Sequence, residues 1–513
     1  MTLEVYPLLI GGEEGPGEAG TMAIHSPATG EPIATVAQAG PGDVARAVAA
    51  ARAAFDGGAW PRTSAARRAR LLNRLADLIE QDADNLARLE AANVGKPLHE
   101  ARTDVQVTID NFRYYAGLAY TVSGETPPVS GPFFGYTIRQ PVGVCALIVP
   151  WNFPLMLASW KVAPALACGN TVIIKPASAT PLTAVRLGQL AREAGFPPGV
   201  VNVLPGPGAQ IGMALVQHPD VDKVAFTGST EVGRQVMAAA APGIKRVTLE
   251  LGGKSPALVF ADAKLDLAVA GCLAGIYRNA GQMCTARSRI LVERSIYGEF
   301  VERFASAAAQ IRIGNPLEKG TQMGPLISQA QRATVHGYVE KGQQEGARLV
   351  TGGRPPEGEQ YAQGFFYAPT VFADVAPEMT IFQEEIFGPV AAVAPFADED
   401  DAVRLANATI YGLAATIWSN DVARVHRLAQ RIKSGNIWVN TWVDGLVEAP
   451  FGGFKQSGLG REQGAEAIRH YTEVRSVAIN LTEKLIDFYG IAGERAKGTE
   501  DQGQRKPSPG QGP

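Results

Sequence analysis

"VGVCALIVPWNFP", residues 142–154, is an apolar run that ends in two prolines bracketing a single amide, Asn152. The apolar character continues to Trp160, so the segment approaches the roughly 20 residues that span a bilayer. Prolines and an amide near its centre exclude that reading, because they break a helix and place a polar group where lipid cannot satisfy it. "VGVCALIV" reads instead as a strand of a parallel sheet covered on both faces. Asn152 then falls at the strand's carboxyl end, where open α/β sheets bind ligands.

The flanking sequence supports that class. "DVARAVAAARAAFDGG" has a helical apolar spacing through Val44, Val48, Ala51 and Phe55 and stops at Gly57-Gly58. Ser64 caps one or two amphipathic helices that run to Gly95 and Pro97. Beyond residue 154, "NTVIIKP", "VVNVLPG" and "DKVAFTG" read as strands, and "TAVRLGQLAREAG" and "AQIGMALVQHP" as the helices between them. Such alternation predicts an α/β fold with a parallel sheet.

Composition limits the function. A length of 513 residues predicts two or three domains. A net charge of -3 leaves no basic excess for nucleic acid. Cys145, Cys168, Cys272 and Cys284 are widely separated and the histidines are scattered, so no metal site is expected. The first twenty residues lack a basic segment leading into an apolar one, and a cytoplasmic location is the default expectation.

Two glycine patterns compete for a phosphate. "GPGAQIG", beginning at Gly206, is one residue too long for GxGxxG and reads equally as a strand-to-helix turn. "FTGSTEVG" delivers Gly228 and Ser229 to a helix start, whose N–H groups and dipole suit an anion.

Read in order, "PWNFP" at Asn152, "KPA" at Lys175, "FTGSTEVG", "ELGGKSP" at Glu250, "GQMC" at Cys284, "EEIFGPV" with Glu385, and "PFGGFKQSG" form a set. The set resembles the aldehyde dehydrogenase superfamily, from the first helices to "YTEVRSV". The resemblance implies a Rossmann-like cofactor domain, an α/β catalytic domain and a small β oligomerisation element. It also implies oxidation of an aldehyde to a carboxylic acid, with NAD or NADP as cofactor.

Within that resemblance Cys284 is the nucleophile, since hydride transfer from an aldehyde first requires a tetrahedral carbon bearing an oxyanion. Asn152 and the Cys284 N–H supply the oxyanion's donors. Glu250, a lone carboxylate in an apolar run, is the base that activates water against the thioester. The acylating branch, which transfers the acyl group to coenzyme A, usually lacks this glutamate, so a free acid is the expected product. Lys175 corresponds to the adenosine-ribose lysine and Ser229 to the pyrophosphate contact. Glu385 corresponds to the nicotinamide-ribose carboxylate, with Phe387 beside it. Trp151, Ile148, Gly208 and Gly228 complete the expected cofactor cleft. Many NAD-preferring members have a glutamate where this chain has Ser178; without that carboxylate, NADP is expected to be tolerated or preferred. The remaining cysteines read as small buried apolar residues.

The expected substrate tunnel comprises Phe153, Trp160, Met283, Thr285 and Phe451, which favours aliphatic or aromatic aldehydes. Asp444, Glu448 and Trp442 leave an aminoaldehyde open, and Arg287 beside Cys284 leaves a semialdehyde open. A non-catalytic structural protein on the same fold is the reading of a different class, and joint retention of Cys284, Asn152 and Glu250 argues for an enzyme. The expected divisions are a cofactor domain at 1–121 and 140–250, a catalytic domain at 251–453, and oligomerisation strands at 122–139 and 473–482, giving a homodimer or homotetramer. The extension 483–513 reads as a flexible tail or a cap over the substrate mouth.

Overall fold

A computed structural model of the protein describes residues 3–442, 446–482 and Tyr489. Asp444 and the proposed cap at 483–513, Tyr489 excepted, lie outside the described residues. One compact unit comprises Met1–Val122 and Gln140–Glu473 and holds both large sheets; the other comprises Ser123–Arg139 and Val474–Pro513.

In the first sheet the strand predicted from the opening stretch is Val144–Ile148, and its first four side chains are fully buried. It pairs in parallel with Thr171–Lys175 on one side and Lys223–Thr227 on the other. Val201–Val203 extends the first flank and Arg246–Glu250 the second. The earliest of these five strands is therefore central, and the chain leaves it in both directions. That reversal opens a crevice at the strands' carboxyl ends, where Trp151-Asn152 and Gly228-Ser229 emerge. Pro154 begins the helix Pro154–Cys168 at its first position, where a missing N–H is harmless.

The second sheet runs in spatial order Arg348–Thr351, Thr370–Ala373, Val390–Phe396, Arg289–Glu293, Pro256–Val259, Ala414–Trp418 and Asn436–Val439. All its pairings are parallel except that of Arg348–Thr351. The chain then returns to the first sheet, where Gly458–Leu459 pairs antiparallel to Arg246–Glu250 and sets Gly458 opposite Glu250.

The early helices are Pro41–Asp56, Ala65–Gln81 with Ser64 accepting from the Arg67 N–H, and Ala83–Val94. "AQIGMALVQHP" opens as a π-turn, Gly208–Gly212, before the short helix Met213–Gln217. The predicted hairpin around residues 122–139 has only one strand, Phe133–Pro141, whose sheet partner is Thr472–Asn480 of the same chain. Its expected first arm carries Pro127-Pro128, and prolines have no N–H to donate to a ladder. No helix among the described residues is long and apolar enough to cross a membrane.

Candidate active site

Cys284 lies between the helix Leu265–Tyr277 and the strand Arg289–Glu293. Its approach is tightly coiled: Asn279, Ala280 and Gly281 all have positive φ, at 46°, 53° and 75°. Such backbone is rare outside glycine and is held only by strong surroundings. Here the Asn279 N–H donates to Glu100 Oε2 at 3.0 Å, and a Cβ on Gly281 would lie 2.1 Å from the Gly388 oxygen. The "ELGGK" loop presses on the same segment, since a Cβ on Gly253 would lie 2.2 Å from the Cys284 oxygen. Both glycines are needed for close backbone approach.

The result singles out one thiol. Cys145, Cys168 and Cys272 are buried, whereas Cys284 is partly exposed. Burial pushes the Cys145 and Cys272 thiols up to about 12, which makes them inert as nucleophiles at neutral pH.

Cys284 faces two cavities. The first, about 470 Å³, follows the crevice of the first sheet and is lined by Ile148, Trp151, Asn152, Lys175, Ser178, Gly208, Gly228, Ser229, Glu385 and Phe387. All nine residues predicted for the cofactor are therefore brought together, with Asn152 and Cys284 at the same cleft. Sequence reading missed Gln331, which also lines the cleft and donates to the Phe387 oxygen at 2.9 Å. The Trp151 and Phe387 rings meet edge to face, 5.2 Å between centroids. Ser229 caps the helix Thr230–Ala240 by accepting from the Val232 N–H, so that helix points its N-terminus at the cleft. Ser178 Oγ donates to the Gly206 oxygen at 2.9 Å. Lys175 donates to the Pro176 oxygen, and burial lowers its ammonium to about 8. Glu385 Oε1 accepts from the Gly253 N–H at 2.9 Å; burial raises this carboxyl to about 7, against the opposing pull of that bond and of Lys254.

The second cavity, about 60 Å³, reaches Cys284 from the other side and is lined by Phe153, Trp160, Met283, Thr285 and Phe451. Trp160 and Phe451 pack edge to face at 5.0 Å. Met156 and Leu157 complete the apolar wall, while Thr103, Asp104, Val107 and Arg278 close it from the helix Leu98–Leu118 and the Cys284 approach. Nothing in the helix's amphipathic pattern marks it as a tunnel wall.

Asn152 Nδ2 donates to the Gln282 backbone oxygen at 2.9 Å, and the Asn152 backbone carbonyl accepts from Asn279 Nδ2 at 3.1 Å. One of its two amide hydrogens is thus committed to orientation. Glu250 lines neither cavity. Its Oε1 has no hydrogen-bond partner among the described residues and lies 3.0 Å from where a Cβ on Gly452 would stand. Burial, then the neighbouring Glu462, pushes the Glu250 carboxyl well above the usual range, with Lys161 and Arg461 acting oppositely. Lys161 Nζ donates to Glu462 Oε1 and, at 2.7 Å, to Thr227 Oγ1. Nothing in the pattern around either residue marks this Lys161–Glu462 pair, which joins positions 301 residues apart.

Of the residues behind the two substrate alternatives, Trp442 lies outside both linings with its ring 5.0 Å from the Arg278 guanidinium, and Asp444 lies outside the described residues. Arg287 is buried, donates to Thr416 Oγ1 and the Trp442 oxygen, and lines neither cavity. Glu448 is exposed and absent from both linings.

This chain matches the sequence profile of the aldehyde dehydrogenase family over residues 15–477. It is 44% identical over 470 residues to betaine aldehyde dehydrogenase of Bacillus subtilis, covering 91% of this chain and 96% of the relative. It is 47% identical over 464 residues to human retinal dehydrogenase 2, covering 90% and 89%. Its structure is similar to the NAD+ complex of aldehyde dehydrogenase from Bacillus cereus, with a TM-score of 0.91, 45% identity and coverage of 93% and 97%. It is also similar to the NAD+ complex of betaine aldehyde dehydrogenase from Staphylococcus aureus, with a TM-score of 0.93, 39% identity and coverage of 95% and 97%. The sequence motifs, the crevice of the first sheet and these similarities agree, and the chain belongs to the aldehyde dehydrogenase family.

Proposed function

We propose that the protein oxidises aldehydes to carboxylic acids with NAD or NADP, through a thiohemiacetal and then a thioester on Cys284. The observation that carries this reading is that Cys284 borders both cavities, the dinucleotide-sized cleft and the apolar pocket. A nucleophile at that junction can hold the aldehyde carbon against the cleft.

The cleft's chemistry fits a nicotinamide dinucleotide: a helix N-terminus for the pyrophosphate, Lys175 and Ser178 for the adenosine ribose, and Glu385 for the second ribose. When bound, that cofactor supplies the hydride acceptor. Cys284 Sγ attacks the carbonyl carbon, and the second hydrogen of Asn152 Nδ2, with the Cys284 N–H, stabilises the oxyanion. After oxidation, Glu250 removes a proton from water as its oxygen bonds to the thioester carbon. The carbon–sulfur bond then breaks, and the Cys284 thiolate leaves. Because Glu250 lines neither cavity, this step requires its side chain to turn toward Cys284, and Gly452, with no side chain, leaves room beside its Oε1.

Ser178 carries no charge to repel a 2′-phosphate and Lys175 stands beside it, which supports use of NADP. The inner pocket's aromatic and aliphatic lining supports apolar aldehyde chains. For self-association, the Phe133–Pro141 and Thr472–Asn480 strands leave Phe133, Phe134, Val474 and Ile479 exposed. An apolar edge of this kind favours pairing between subunits, and light scattering should report a dimer or tetramer.

The test is absorbance at 340 nm with hexanal or benzaldehyde and each nucleotide. Reduced nucleotide formed by the wild type and lost in Cys284→Ala supports the reading. No signal from any pair would favour a non-catalytic protein on this fold.

A further inference from the structure

A third cavity, about 590 Å³, adjoins the inner pocket and shares Thr103 and Arg278 with it. Its floor is apolar, from Leu273, Ala274, Tyr277 and Ile311, but its charged groups are unusual for an aldehyde path. Two guanidiniums, Arg278 and Arg312, line it with a single carboxylate, Glu100; Arg312 Nε donates to the Gly320 oxygen at 2.9 Å.

That carboxylate is already committed, since Glu100 Oε2 accepts the Asn279 N–H at 3.0 Å. Burial also raises it to about 7, which weakens its charge near neutrality. Two further titratable liners add no charge: burial and Arg278 lower the His99 imidazole, and burial raises the Tyr277 hydroxyl. Arg278 itself is held loosely. Its nearest carboxylate oxygens, on Glu100 and Asp104, stand at 3.9 and 4.0 Å, beyond hydrogen-bond reach, and its guanidinium lies 5.0 Å from the centre of the Trp442 ring. Its side chain keeps 18% of its surface accessible. Asp104, by contrast, is bound to Lys96.

We propose that this outer chamber is a subsite for the far end of the substrate, and that Arg278, with Arg312 in the same lining, recognises a carboxylate there. The favoured substrates are then ω-oxo acids long enough to reach from Cys284 through the inner pocket. A planar guanidinium with uncommitted donors is suited to bidentate carboxylate recognition. A cationic aminoaldehyde would meet two like charges instead. Apolar walls between the thiol and Arg278 suit the methylene chain of such an acid. This inference rests on the aldehyde oxidation proposed above.

The test compares ω-oxo acids of four, six and nine carbons with the unbranched aldehydes of the same lengths, using the full chain. The ratio of kcat/KM, acid over neutral aldehyde, should rise with length and favour the longest acid by about tenfold, the scale of one charge-assisted hydrogen bond. Arg278→Met and Arg278→Gln should remove that preference through KM, and Arg278→Lys should keep most of it. Isothermal titration with the nine-carbon diacid reads the chamber without turnover: binding should be present in wild type and Arg278→Lys and lost in Arg278→Met. A ratio that is flat with length, or diacid binding unchanged in Arg278→Met, overturns the subsite. Failure to reduce nucleotide with any aldehyde overturns the oxidation reading instead, and the titration then decides the chamber alone.

Discussion

Replacing Asn152 by alanine separates its two hydrogen-bonding roles. The Nδ2 bond to the Gln282 oxygen, 2.9 Å, orients the amide, and that oxygen also receives Asn279 Nδ2 at 3.3 Å. Its loss therefore leaves the Gln282 carbonyl with one donor, and the expected stability loss is about 1 kcal/mol. The other role is expressed only when the carbonyl carbon becomes tetrahedral. A fixed oxyanion donor in a site of this kind contributes roughly 3 to 4 kcal/mol, so kcat should fall about 100- to 1000-fold. KM for the aldehyde should change little, because the ground-state carbonyl gains much less from the same donor. Steady-state reduction of nucleotide, with thermal melting on the same preparations, measures both quantities. A kcat within threefold of wild type on a protein that still melts cooperatively would refute the assignment of Asn152 as an oxyanion donor.

In Glu250→Gln, nucleotide reduction should show a burst of about one equivalent followed by slow turnover, since acylation precedes the step that needs the base. The raised Glu250 pKa has a definite sign: the carboxylate form is scarce at acid pH, so the wild-type rate should climb with pH well above the ordinary carboxylate range, and Glu250→Gln should flatten that limb. Lys175 loses its charge as pH rises through about 8, so kcat/KM for NADP should decline there more steeply than for NAD. Ser178→Glu should lower kcat/KM for NADP by at least about tenfold while sparing NAD, as expected when a carboxylate faces a phosphate; equal losses for both nucleotides would count against the assignment. Lys96→Met should destabilise the fold by about 3 to 5 kcal/mol in denaturant unfolding, because it strands the buried Asp104 carboxylate and removes the cation 3.7 Å from Glu90.

The parts of the site legible in the sequence are those carried by strand ends. Asn152, Lys175 and Gly228 each follow a short apolar run, and parallel pairing of Val144–Ile148 with its two neighbours brings all three to one crevice. Cys284 stands out from the other cysteines only through the joint occurrence of the motifs, and the successive left-handed residues before it are not legible, since Ala280 carries no mark of that conformation and Asn279 only a weak one. The distant wall was hidden for a different reason. Asp104 and Val107 sit on a helix whose apolar spacing is ordinary, and their place beside Cys284 follows from tertiary packing alone. Arg287 is the opposite case: nearness to Cys284 in sequence left a substrate contact open, but the residue lines neither cavity and its guanidinium packs 4.6 Å from the centre of the Trp438 ring. The supposed hairpin failed where paired prolines replaced the N–H groups of a strand.

The apolar reading of the tunnel conceals a second layer that is charged. Lys96 Nζ lies 3.9 Å from the centre of the Phe153 ring and is bound to Asp104, while Trp160 is followed in the same helix by Lys161, bound to Glu462 and Thr227. Phe153 and Trp160 thus line the tunnel with a buried ion pair behind or beside each of them. In water such pairs would be screened, but here their partners are nearly inaccessible, so each fixes its own helix relative to its neighbour. The rings are consequently held by groups that cannot relax without separating charge. This accounts for an inner pocket beside Cys284 whose walls are braced before substrate arrives, with Glu250 joined electrostatically to one cluster and Arg278 to the other. Glu250, which takes the proton from water in the hydrolysis step, and Arg278, which receives the proposed carboxylate tail, are thus tied to different buried ion pairs behind the same apolar layer.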